Sequence, residues 1–81
     1  MILDLIVSKE LDGFSAKVNS LEGVESWAES EEDAIRKVLE LIVFYFNLES
    51  EKEIKVDRIK KGGNFNQYKI VFGRTSERVF D

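Results

Sequence analysis

The chain reads as an α+β domain, an antiparallel sheet with β-β-β-α-β-β order and one helix packed on one face. Three observations predict it. Short stretches place apolar residues at every second position, as in Phe14, Ala16, Val18 and in Tyr68, Ile70, Phe72; these are strands with one buried face. Turn signals containing Gly separate them, at Asp12-Gly13, Ser20-Leu21-Glu22-Gly23 and Gly62-Gly63-Asn64. One stretch alone, residues 31–48, has apolar residues at the helical period. With 81 residues there is room for a single domain.

In chain order, the expected parts are a meander over 2–29, a helix over 31–48, a hairpin over 53–73 and a tail over 74–81. Ile2 to Ser8 is a mostly apolar strand interrupted only by Asp4. Asp12-Gly13 turns the chain into the second strand. Val24 to Glu29 is the third strand, with Trp27 as its largest side chain. Ser30 is placed to cap the helix by accepting from the Asp33 amide, and Asp33 to reach back. Glu31, Glu32 and Asp33 then crowd the first turn, where carboxylates suit the positive end of the helix dipole.

Ala34, Ile35, Val38, Leu39, Leu41, Ile42, Tyr45 and Phe46 define a broad core-facing stripe. Two apolar residues fall outside it. At 100° per residue Val43 sits on the rim, and Phe44 lands among Lys37, Glu40 and Asn47 on the far side. After the helix, Ile54 and Val56 start a fourth strand. Ile59 is out of phase with them, which predicts a bulge or an early end. Tyr68 to Phe72 is the fifth strand.

Composition bounds the function. There is no Cys and no His, which removes disulfides and any zinc site built on thiolate or imidazole. A chain this small buries only about 60% of its unfolded surface, so oligomerisation is the remaining source of extra stability. No apolar run reaches the roughly 18 residues of a membrane span, and the start lacks the basic pattern of a signal peptide. The expected location is the cytoplasm, with no membrane partner. Net charge is −4, yet residues 1–50 carry −7 and residues 51–81 carry +3. Such a split predicts an acidic and a basic face, each able to steer a partner of opposite sign or to satisfy the other.

The turn, strand and helix start share their residues with a known family. Gly13-Phe14-Ser-Ala16-Lys-Val18 is followed by Leu21-Glu22-Gly23-Val24 and by Ala28-Glu29-Ser30-Glu31-Glu32-Asp33-Ala34. This resembles, in register, the pattern Gly-Phe-x-Ala-x-Val, Leu-Pro-Gly-Cys, Gly-x-Thr-x-Glu-Glu-Ala of HicB-like antitoxins. Glu and Val replace the Pro and Cys, and Ala, Ser and Asp replace the Gly, Thr and second Glu. The resemblance covers residues 13–46, corresponding to the N-terminal domain of such proteins. It implies a partial ribonuclease-H-like fold and a non-enzymatic role in a toxin–antitoxin system, binding a small basic ribonuclease toxin. Many members add a DNA-binding segment. Nothing after Phe72 reads as one, so operator binding is not implied.

Candidate sites follow. Glu25, Glu29, Glu31, Glu32 and Asp33 form an acidic set suited to a basic partner, with Trp27 as aromatic anchor; the same residues also serve as a solvated strand edge and a dipole-complementing helix start. Val43 and Phe44 are the expected interface of a homodimer. The alternative function is a stand-alone structural or nucleic-acid-binding module. It would use Lys55, Arg58, Lys60, Lys61, Lys69, Arg74 and Arg78, with Phe65 and Tyr68 as stacking residues. Lysines on an edge strand also block aggregation. Asp4 occupies the strand where ribonuclease-H-like enzymes hold metal, but lacks a declared second carboxylate. Gly62-Gly63 lacks the Gly-x-x-x-x-Gly-Lys-Ser/Thr pattern of a phosphate loop. No catalytic residue, cofactor or metal site is expected.

Overall fold

The computed structural model of the chain describes residues 1–72. The expected tail from Arg74 to Asp81 lies outside the described residues, as does Gly73, the last position of the expected hairpin. Five strands form one antiparallel sheet: β1 (Ile2–Lys9), β2 (Phe14–Val18), β3 (Glu25–Ala28), β4 (Lys55–Lys61) and β5 (Phe65–Val71). Their order is β3-β2-β1-β5-β4. One helix, α1 (Glu31–Tyr45), packs against β3, β2 and β1, and a 3-10 turn at Glu51–Glu53 leads into β4. The α+β class and the single helix on one face are those the sequence predicts.

Alternation decides which side of each strand meets the helix. Leu3, Leu5 and Val7 of β1, Ala16 and Val18 of β2, Ala28 of β3, and Tyr68 and Ile70 of β5 are buried. Ala34, Val38 and Ile42, one residue per turn, supply the helix side of this core. The Phe46 ring meets the Phe72 ring at a centroid distance of 5.0 Å, closing the core at the C-terminal end of the helix.

The stripe read from the sequence was too broad. Leu41 and Tyr45 are exposed, Tyr45 to 55%. β3 meets this flank through Ser26, whose hydroxyl donates to the Ala34 carbonyl at 2.7 Å. With four residues, β3 is too short to follow the helix to Leu41 and Tyr45. The helix also ends at Tyr45 rather than Leu48. Asn47 turns left-handed at φ 56°. Its amide bonds to the Phe44 carbonyl at 3.3 Å, and the Leu48 amide to the Val43 carbonyl at 2.9 Å. This pair of backward bonds is a Schellman closure, which satisfies carbonyls the helix would otherwise leave free.

Two turn glycines work differently. Gly23, at φ 85°, supplies a backbone conformation that other residues adopt at a cost. Gly13 has no positive φ. Its missing Cβ matters because the atom would lie 2.3 Å from the Ala28 carbonyl oxygen and 2.7 Å from Trp27 Cζ2. The Asp12-Gly13 signal thus marks the place of the turn, while close packing of β3 demands the glycine. In β4 the register against β5 shifts between Arg58 and Lys60. Ile59 is the extra residue, as its phase predicts, and it is exposed.

Candidate functional site

The helix start is tightly fastened. The Ser30 hydroxyl accepts from the Asp33 amide at 3.2 Å, the cap expected from the sequence. The Asp33 carboxylate turns to Arg36 at 3.0 Å. The Arg36 guanidinium, and then hydrogen bonding with Ser30, hold the Asp33 carboxyl below its usual range. Glu31 reaches across to β5, where its carboxylate accepts from the Tyr68 hydroxyl at 2.9 Å and from Asn66 Nδ2 at 2.5 Å. Burial, followed by the Glu31 carboxylate, pushes the Tyr68 hydroxyl above its ordinary value.

These contacts divide the acidic set. Glu29 and Glu32 are exposed at the helix start, beside the paired Asp33. Glu31 is half-buried and bound to β5. Ser26 and Ala28 face the helix, so by alternation Glu25 and Trp27 lie on the opposite, bare face of the sheet. Trp27 is 46% exposed, and its indole covers Gly13. Glu25 and Trp27 therefore do not share a surface with the helix-start carboxylates. Lys37 donates to the Trp27 carbonyl at 3.2 Å and ties the outer strand to the helix.

The far end of the helix is open. Phe44 is 87% exposed, Leu41 and Tyr45 are exposed beside it, and Val43 is half-buried. Helical periodicity singles out Phe44 and Val43. It misses Leu41 and Tyr45, because their exposure depends on how far the sheet extends beneath them.

The basic set divides as well. Pairing with Val71, Gln67 and Asp4 places Lys55, Lys60 and Lys69 on the bare face, joined by Lys17 opposite Glu25. Arg58 and Lys61 pair with Tyr68 and Asn66 and so share the helix side. Tyr68 is buried and bonded to Glu31, which removes it as a stacking residue. Phe65 is 41% exposed on the bare face. Arg74 and Arg78 lie outside the described residues. Asp4 is exposed and pairs with Lys69 at 3.7 Å. Among the described residues no group of three or more Asp or Glu side chains is arranged to hold a metal ion, and no helix is long and apolar enough to cross a membrane. A small cavity of about 180 Å³ opens between the helix start and the β4–β5 loop, against Lys9, Phe14, Glu31 and Asn66. Comparison of the chain with protein-family models, with curated proteins and with solved structures finds no match in any of the three.

Proposed function

We propose that the chain is a non-enzymatic protein-binding module that works as a homodimer, its subunits joined through the outer C-terminal side of α1. The observation that carries this reading is Phe44, 87% exposed in the last turn of α1 with Leu41 and Tyr45 beside it. A 9.4 kDa chain without cysteine has few other ways to gain stability. Burying these side chains against a second copy removes them from water on both subunits at once.

The resemblance to HicB-like antitoxins supports the remainder of the reading. The dimer binds a small basic ribonuclease toxin and neutralises it. Glu29, Glu32 and Asp33 are the exposed carboxylates that would attract such a partner, while Glu31 fastens the helix to β5. Attraction of this kind acts mainly on association rate and specificity, and it weakens with salt.

Light scattering tests the dimer. The wild type is expected at twice the chain mass and Phe44→Glu at the chain mass. A monomeric wild type, or an unchanged dimer in Phe44→Glu, defeats the interface. Co-purification with a small basic protein encoded beside this one tests the partner. Absence of binding at low salt and micromolar concentration argues against it.

A further inference from the structure

The outer side of α1 changes character along its length. At about 100° per residue, Asp33, Lys37, Glu40 and Phe44 fall within about 60° of one another and form one line along the helix. All four are exposed. The first three are charged and the last is aromatic. Leu41 and Tyr45 flank Phe44, and residues 41–48 contain no charged side chain. The charged residues that follow, from Glu49 to Glu53, come after the left-handed turn at Asn47. The apolar part is therefore short. Leu41 to Tyr45 spans about 6 Å, against about 21 Å for the whole of α1.

Two copies related by a two-fold axis can set these helices side by side in one of two directions. In a parallel pair each residue of the line stands opposite its own copy: Asp33 against Asp33, Lys37 against Lys37, Glu40 against Glu40. The two helix starts then lie at one level. Residues 29–40 hold five carboxylates and two cations. Both cations are engaged within the chain, Arg36 on Asp33 and Glu40, and Lys37 on the Trp27 carbonyl. Packed helix axes lie about 8–10 Å apart, so these like charges meet within a Debye length. In an antiparallel pair only the last turns need overlap. Leu41 and Phe44 of one copy cover Leu41 and Phe44 of the other. Glu40 and Lys37 come level with Tyr45 and Leu48 of the second copy, which carry no charge.

We infer that the two helices pack antiparallel through their last turns, so that the dimer carries its two acidic helix starts at opposite ends. This rests on the α1 dimer proposed above and adds its direction. With the two-fold axis level with the midpoint of Leu41 and Phe44, the two Asp33 positions stand about 28 Å apart along the helices. A parallel pair holds them about 10 Å apart. At the larger spacing salt screens the two starts from one another, and each is open to a basic partner of its own.

Asp33→Cys tests the direction. The chain has no other cysteine, and the substitution keeps the backbone amide that Ser30 caps. A nitroxide on this cysteine reports the spacing in the full chain by pulsed electron paramagnetic resonance. About 30 Å is expected; a spacing below about 15 Å, that of helices in parallel contact, overturns the inference. A second measurement needs no label. Glu32→Gln together with Asp33→Asn removes two carboxylates from each start, and antiparallel helices keep their dimer affinity within about twofold. A dimer tightened about tenfold would set the starts side by side and overturn the inference. Light scattering on the same samples separates the two readings. A wild type at the chain mass defeats the dimer itself, whereas a dimer with a short label spacing defeats only its direction.

Discussion

The two ends of α1 are held by different means. At the N-terminal end, side chains do the fastening: Ser30 caps, Glu31 grips Tyr68 and Asn66, and Lys37 holds the Trp27 carbonyl. At the C-terminal end the backbone closes on itself through Asn47 and Leu48, and Leu41, Phe44 and Tyr45 are exposed. The first end is specified by polar residues that find partners within the chain. The second is specified by a turn and by the packing of Phe46 on Phe72, and the exposed side chains beyond that contact are left for something else. A helix fastened at one end and open at the other is firmly placed yet keeps a surface to offer.

Substitutions separate these means. The largest loss is expected in the part both ends share: Ile42→Ala, beneath the helix, should cost about 2–5 kcal/mol in chemical denaturation. Glu31→Ala leaves the partly buried Tyr68 hydroxyl and Asn66 amide without their acceptor and should cost about 1–3 kcal/mol. Burial of Tyr68, with this bond second, gives an alkaline signature. Tyr68 keeps its proton in the folded state beyond its ordinary value of 10.0. That stability is fully present below pH 10 and is lost as pH rises through the raised value, because the unfolded chain ionises first. Tyr68→Phe should flatten this part of the stability profile relative to wild type; parallel profiles would mean that Tyr68 is not the group responsible. Ser30→Ala should cost about 1 kcal/mol. Asn47→Gly, at the other end, should change stability least. It is expected to raise it by about 0.5 kcal/mol, since glycine takes the left-handed conformation without strain.

Much of this contrast was legible in the sequence. Ser30 followed by three carboxylates announces a capped helix start, and the cap is present. The phase error at Ile59 announces the register shift. Period-2 runs identified Ala16, Val18, Tyr68, Ile70 and Phe72 as core residues, and all five are buried. The rest depends on pairings between distant residues. That Glu31 belongs to the fold rather than to an acidic surface follows from β5 lying beside β1, and no local pattern states a strand order. The split between Trp27 and the helix-start carboxylates follows from which face of β3 the helix covers. Leu41 and Tyr45 satisfy helical periodicity and are exposed because the sheet is short beneath them. Gly13 was recognised as a turn residue, while its role as a seat for Trp27 depends on a contact across strands.

The bulge at Ile59 carries one more consequence. Its residue is surplus to the ladder: every pairing from Lys55 to Arg58 and from Lys60 to Lys61 is made without it. Deleting Ile59 would leave the partners of β4 unchanged and straighten the outermost strand. A straight edge is a template on which further chains can stack. The extra isoleucine thus acts as a guard on solubility. Its removal is expected to yield a folded protein that clouds at concentrations the wild type tolerates.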